Sequence, residues 1–156
     1  MDVVKRFLDG DGSLIPPSTL SQLRAGFTWA CEFGRTDVVK YLLSTSSKSL
    51  LDQPGLHWAA YGGHIDTVKL LLETGFSAQA QDCQHEGTPL EWALYGWGAE
   101  NRQGRHYEVV ALLVRSGATL GPGWYEEDAD RRRADAKIQA DPRMTEALKG
   151  IPASHE

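Results

Sequence analysis

The chain has 156 residues, enough for one continuous hydrophobic core. Hydrophobic residues make up 41% and charged residues 24%, near the averages of folded globular proteins, and the formal charge of −5 argues against a nucleic-acid duplex or an anionic membrane as main partner. Cys31 and Cys83 are too few for a disulfide framework, and no run of about 18 apolar residues would span a bilayer. The N-terminus lacks the basic-then-apolar order of a signal peptide, so we expect a cytoplasmic location.

The first segment with a helical pattern begins abruptly. Residues 2–8 read Asp-Val-Val-Lys-Arg-Phe-Leu and nearly repeat residues 37–43, which read Asp-Val-Val-Lys-Tyr-Leu-Leu. The earlier copy has no helix before it. Residues 1–18 are therefore predicted to be a half unit, either an N-terminal cap or the cut edge of a longer protein, with Pro16-Pro17 keeping the connection extended.

Three helical hairpins follow, over residues 19–49, 50–82 and 83–120. In the second, Gly62-Gly63 separate two short segments whose apolar residues recur at helical spacing. Neither segment buries an apolar face alone, so the hairpins are predicted to pack side by side. The residues predicted to face inward in the first two units are Phe27, Ala30, Cys31, Val39, Leu42, Leu43, Leu56, Ala59, Ala60, Ile65, Val68, Leu71 and Leu72.

Tryptophan spacing sets the period of the repeat. Trp29, Trp58 and Trp92 are 29 and 34 residues apart and are predicted to occupy one position in three units. Asp66 and Glu108 mark a second position, but they are 42 residues apart, which is eight more than 34. Residues 97–104 are therefore predicted to be an insertion between the two helices of the third unit.

A repeat of about 33 residues with the motif Thr-Pro-Leu-His-x-Ala is typical of ankyrin repeats. Over about residues 19–120, the chain resembles this family through residues 56–60 (Leu-His-Trp-Ala-Ala), Gly63-His64, Gly75 and residues 88–90 (Thr-Pro-Leu). It departs from the motif at Pro54-Gly55, where Thr-Pro is usual, and at Glu91, where histidine is usual.

The resemblance implies an all-α fold, an α-solenoid of stacked helical hairpins with helical caps. It also implies a concave surface formed by first helices and projecting turns, the fingers, of which residues 76–82 would be one. Histidines such as His57 and His64 would bond helix to finger backbones. Thr88 is predicted to cap a first helix with Pro89 in its first turn, and Gly75 and Gly117 to end second helices.

Residues 121–150 are predicted to be a helical C-terminal cap, and residues 151–156 a frayed tail. Asp141 is a predicted N-cap, with Pro142 at the first helical position. Charged residues would face water, as terminal units of a stacked array require. The residues predicted to cover the last repeat are Trp124, Ile138, Met144 and Leu148.

Two features suggest recognition, and each has an alternative. The tryptophans, with Tyr61 and Tyr95 one turn further along, would form an aromatic ladder for binding, or they would only pack between units. The insertion at residues 97–104 would hold specificity, as loops often do, or it would be a tolerated surface loop.

Signals for chemistry are weak. Cys83, His85 and Glu86 lie close together, but no second cluster with zinc-ligand spacing exists. Glu91 would be an acid–base candidate beside Trp92 if its pKa were raised, yet one carboxylate is not a mechanism. No phosphate loop or nucleophile elbow is present, so no catalytic residue, metal or cofactor is predicted.

The sequence therefore predicts a non-catalytic module that binds another protein, favouring one with a basic patch, and acts as a monomer. The alternative is a small-molecule binder or unusual enzyme, with Glu91, His85 and the tryptophans around a cleft closed by residues 97–104. A deep pocket around a desolvated Glu91 would favour that alternative. The predicted contact residues are Trp58, Tyr61, His85, Glu86, Trp92, Tyr95, Trp97 and Arg102.

Overall fold

The computed structural model describes residues 20–46, 49–83, 86–99, 104–121 and 129–151, and eight α-helices lie in these ranges. The predicted half unit at residues 1–18, Trp124 and the tail beyond residue 151 lie outside the described residues. The helices are α1 (Leu20–Glu32), α2 (Thr36–Ser46), α3 (Gly55–Tyr61), α4 (Ile65–Glu73), α5 (Pro89–Gly98), α6 (His106–Arg115), α7 (Ala129–Gln139) and α8 (Pro142–Ala147).

The first six helices form three hairpins stacked in two layers. The first helices α1, α3 and α5 pack side by side in one layer, and the second helices α2, α4 and α6 form the other. Each hairpin covers the apolar face of its neighbour, as in a repeat array. The prediction of an all-α solenoid is confirmed.

Equivalent hydrogen bonds recur in successive units. The N–H of Arg35 donates to the Ala30 carbonyl at 2.8 Å, and the N–H of His64 donates to the Ala59 carbonyl at 3.0 Å. Ala30 and Ala59 directly follow Trp29 and Trp58, so these two tryptophans hold the same position in their hairpins.

The prediction that Gly75 and Gly117 end second helices is confirmed. Gly75 and Gly117 have φ of +99° and +89°, a region in which residues with a Cβ are strained. The N–H of Phe76 bonds the Leu71 carbonyl at 3.1 Å, and that of Ala118 bonds the Leu113 carbonyl at 2.9 Å, which satisfies carbonyls at the helix end.

The predicted inward-facing residues form one hydrophobic core. Phe27 and Phe76 stack with ring centroids 5.9 Å apart, which joins the first unit to the turn after the second. Ile65 and Leu72 are half-buried, and the other predicted core residues of these units are buried. Burial raises the pKa of the Cys31 thiol to about 12, so Cys31 is an unreactive packing residue.

Histidines at the starts of two second helices, α4 and α6, link them to the preceding unit. Nε2 of His64 lies 2.8 Å from the Glu32 carbonyl oxygen, and Nε2 of His106 lies 3.0 Å from that of Tyr61. Glu32 and Tyr61 both end first helices. The expectation that His64 bonds to a finger is therefore wrong, because its ring reaches back to the preceding helix end.

The predicted insertion at residues 97–104 does not lie wholly between the two helices of the third unit, and that part of the prediction is wrong. Trp97 and Gly98 are the last residues of α5, which has 10 residues where α3 has 7. The Trp97 ring packs edge-on against Tyr107 of α6 at 6.3 Å, which buries part of the additional helical turn. Residues 100–103 of the insertion, including Arg102, lie outside the described residues.

The C-terminal helices cover the last repeat. Ile138 and Met144 are buried as predicted, and Leu148 is half-buried. Asp141 caps α8, because its Oδ1 accepts hydrogen bonds from the N–H groups of Arg143 and Met144 at 2.9 and 3.1 Å.

Candidate functional site

Three aromatic rings from adjacent first helices touch one another. The ring centroids of Trp58 and Trp92 are 4.9 Å apart, and Tyr61 lies 6.1 Å from Trp58 and 6.0 Å from Trp92. All three pairs are edge-to-face, an attractive geometry for aromatic rings. The three side chains are half-buried, so this aromatic cluster (Trp58, Tyr61 and Trp92) leaves part of its surface open to solvent.

A surface cavity of about 510 Å³ lies beside this cluster. One wall comes from the finger, residues 76–82, and the other from the start of α3 and the turn before it. We call it the finger cavity. The residues that line it are Leu51, Asp52, Gln53, Pro54, Leu56, His57, Trp58, Gly75, Phe76, Ser77, Ala80, Gln81, Asp82, Cys83 and Trp92.

Asp82 holds Trp92 at the edge of the finger cavity. Its Oδ2 accepts hydrogen bonds from Nε1 of Trp92 at 3.1 Å and from the N–H of Gly87 at 2.9 Å. The N–H of Asp82 in turn donates to the Gly87 carbonyl at 3.1 Å. The indole orientation is therefore fixed by the end of the finger.

His57 joins α3 to the same finger. Its Nε2 lies 3.0 Å from the Ala80 carbonyl oxygen and 3.1 Å from that of Gly87, so this nitrogen carries the proton. Its ring packs edge-on against Trp92 at 5.7 Å. Burial lowers the pKa of His57, which keeps the ring neutral at neutral pH. The expected helix-to-finger bond of His57 is present.

Glu91 has a structural role, because its carboxylate joins the start of α5 to a later backbone segment. In a capping box, its Oε2 accepts from the N–H of Thr88 at 2.9 Å while the Thr88 hydroxyl accepts from the N–H of Glu91. Its Oε1 accepts from the N–H of Gly121 at 2.7 Å. Glu91 is buried but does not line the finger cavity, and both of its oxygens are bonded to backbone amides. This geometry does not support the enzyme alternative.

The other predicted contact residues are dispersed. Tyr95 is 41% exposed on α5, one turn beyond Trp92. Trp97 faces the C-terminal cap, with the Lys137 ammonium 5.0 Å from its ring centroid. Glu86 is exposed just after the finger and has a φ of +52°. His85 and Arg102 lie outside the described residues.

Two exposed aromatic residues are not among the predicted contact residues, although Trp29 belongs to the predicted aromatic ladder. Trp29 and Phe33 are 66% and 62% exposed at the end of α1, in the same helix layer as the aromatic cluster. Asp82 is not among the predicted contact residues either. The signal for Trp29 was its equivalence to Trp58, whereas nothing in the sequence pairs Asp82 with Trp92.

Within the described ranges, no group of three or more His, Cys, Asp or Glu side chains is arranged to hold a metal ion. In the same ranges, no helix combines the length and apolar character needed to cross a bilayer.

Comparisons with known proteins agree with the geometry. A family model described as ankyrin repeats (3 copies) matches residues 27–122, which is more than half of the chain. The same comparisons find no match among curated proteins or among solved structures. The matched range contains the three stacked hairpins, α1 to α6, apart from the first turns of α1. The chain belongs to the ankyrin-repeat family.

Proposed function

We propose that this protein binds a segment of another protein on the surface formed by its first helices and its finger, with the aromatic cluster at the centre of the contact. Ankyrin repeats are generally protein–protein interaction modules, and the family is typically non-catalytic. The observation that carries the proposal is the contact of Trp58, Tyr61 and Trp92 across two hairpins, with all three side chains half-buried.

Aromatic clusters of this kind suit the centre of an interface. Tryptophan and tyrosine bury a large area with few rotatable bonds, so they lose little conformational entropy on binding. Asp82 reduces that loss further, since the Trp92 ring is already held by a hydrogen bond before a partner arrives. Tyr95 on the same helix, Trp29 on α1 and Phe33 just after α1 would extend the contact along the first-helix layer.

The experiment is a selection of displayed random peptides on the immobilised protein, followed by calorimetry with the enriched peptides. Trp58→Ala should weaken binding at least tenfold, as about 2 kcal/mol or more is typical of a central aromatic residue. Tyr41→Ala is the matched control, because it removes an aromatic side chain from α2 in the other helix layer. Peptides that bind Trp58→Ala and wild type equally would count against the proposal.

A further inference from the structure

We propose that the finger cavity receives an apolar side chain of the bound protein segment, either an aromatic or a branched aliphatic one. This inference rests on the proposed function, because it names the chemistry of one anchor of that partner. The finger cavity adjoins the aromatic cluster, since Trp58 and Trp92 belong to both. A segment lying across the aromatic cluster would therefore be able to extend a side chain into the cavity.

Both carboxylates that line the finger cavity already have partners within the protein. Oδ2 of Asp82 accepts hydrogen bonds from the N–H of Gly87 at 2.9 Å and from Nε1 of Trp92 at 3.1 Å. Asp52 contacts the guanidinium of Arg24 at 3.1 Å. A charged side chain entering the cavity would lose hydration and would have to compete with these contacts. The ionised groups of the lining therefore do not require a charged partner.

Uncharged polar groups of the lining are also engaged. Nε2 of His57 lies between the carbonyl oxygens of Ala80 and Gly87, at 3.0 and 3.1 Å, and Nδ1 of the same ring is buried from solvent. The Ser77 hydroxyl accepts a hydrogen bond from the N–H of Gln79 at 3.2 Å. A polar side chain in the cavity would exchange its bonds to water for a share in bonds that already exist, so it would gain little.

The surface that remains open in the finger cavity is largely apolar. Leu51 lines it and is 46% exposed, which is unusual for a large apolar side chain beside a cavity. Trp58 and Trp92 are half-buried, and Phe76 adds a third ring to the lining. Such walls favour an aromatic or aliphatic side chain, because contact removes apolar surface from water and allows edge-to-face packing of rings. The volume of about 510 Å³ is within the range of sites that hold small ligands.

The test uses small probes, so that it does not depend on finding a partner. Nα-acetyl-phenylalanine amide and Nα-acetyl-leucine amide are titrated into the full chain while NMR follows the methyl signals of Leu51 and Ala80 and the indole N–H signal of Trp92. Leu51 and Ala80 line the cavity but do not belong to the aromatic cluster, so their signals distinguish the two places of binding. Nα-acetyl-alanine amide and Nα-acetyl-arginine amide are the short and the cationic comparison probes. We expect at least one apolar probe to shift all three signals and to bind at least fivefold more tightly than either comparison probe.

Two variants change the cavity without touching the aromatic cluster. Leu51→Ser removes exposed apolar wall and should weaken binding of the apolar probe at least threefold. Ile151→Ser is the matched control, because Ile151 is 48% exposed and does not line the cavity, so binding should be unchanged. Ala80→Leu should fill the cavity with the protein's own side chain and abolish binding. If Ala80→Leu fails to fold, the comparison of Leu51→Ser with Ile151→Ser still decides the question.

The inference is overturned if neither apolar probe shifts the Leu51 and Ala80 methyl signals, if a comparison probe binds as tightly, or if Leu51→Ser binds as wild type does. These outcomes leave the proposed function standing when Trp58-dependent peptides are still selected. Conversely, apolar probes that bind in the cavity while no Trp58-dependent peptide is found would refute the proposed function and support the cavity chemistry.

Discussion

At the residue scale, Phe27 determines which residue can occupy position 55. A Cβ at Gly55 would lie 2.6 Å from Cε1 of Phe27 and 3.1 Å from Sγ of Cys31. Phe27 is fully buried and stacked on Phe76, so it has no room to withdraw. The third unit has proline at the equivalent position, Pro89, but the second unit requires glycine.

Gly55→Ala should therefore destabilise the fold by about 1–3 kcal/mol, the usual range for overpacking in a core. Gly26→Ala is the matched control, since a Cβ there meets nothing within 4 Å. Gly26 lies inside α1, so this control should stabilise the protein by about 0.5–1 kcal/mol. Urea unfolding of both variants measures the difference, and equal free energies of unfolding would contradict this explanation of Gly55.

The burial of His57 makes the stability of the fold depend on pH. Burial lowers its pKa, an effect partly opposed by the hydrogen bonds to Ala80 and Gly87 and by the Asp82 and Glu91 carboxylates. Nδ1 of His57 is buried and has no hydrogen-bond partner in the described part of the chain. Protonation of this ring would therefore place a charged N–H where nothing accepts it.

The sign of the pH effect follows from this lowered pKa. Unfolded chains take up the His57 proton near pH 6.5, whereas the folded protein does so only at lower pH, so acidification favours the unfolded state. The free energy of unfolding should decrease from about pH 6.5 down to the lowered pKa and change no further on this account. His57→Gln should remove this component, and parallel pH profiles for variant and wild type would refute it.

At the element scale, stacking depends on close approach between first helices. A Cβ at Gly96 of α5 would overlap the carbonyl oxygen of Tyr61 at the end of α3. Gly62 lies equally close to the preceding unit, because a Cβ added at Gly62 would lie 2.9 Å from the Glu32 carbonyl oxygen. The spacing of the hairpins is therefore set by glycines at one repeated position.

Gly96→Ala should separate α3 from α5 and destabilise the protein by about 2–3 kcal/mol, because the obstacle is backbone and cannot rotate away. Gly98→Ala, two residues along the same helix, has open space around its Cβ and should be nearly neutral. Thermal unfolding of the pair is the measurement. Equal changes in stability for the two variants would contradict the claim that the α3–α5 contact requires glycine at position 96.

Features with local chemical signatures were predictable at the element scale. Thr88 and Glu91 are three residues apart, the spacing of a capping box, and Gly75 follows a complete second-helix pattern. Features that depend on tertiary contacts were not predictable from the sequence. Trp97, at the end of α5, packs against Tyr107 of the next helix, and Asp82 meets Trp92 only once the finger has folded back.

At the scale of the whole molecule, repetition and irregularity have different consequences. The repeated positions build the stack: alanines and leucines fill the core, and His64 and His106 join each unit to the one before. The proposed site combines the repeated tryptophan position, held by Trp58 and Trp92, with Asp82 of the finger, which bonds to Trp92. Repetition predicted the fold and the tryptophan positions, whereas the contact of Asp82 with Trp92 depends on how the finger folds back.

The most direct test of the central claim is to map where a bound peptide touches the protein. A selected peptide carrying a benzophenone group is cross-linked to the full chain by light, and the modified residues are identified by mass spectrometry. We predict cross-links on α3, α5 and the finger, with Trp58 and Trp92 among the modified residues or beside them. Cross-links confined to the second-helix layer, α2, α4 and α6, would contradict the account.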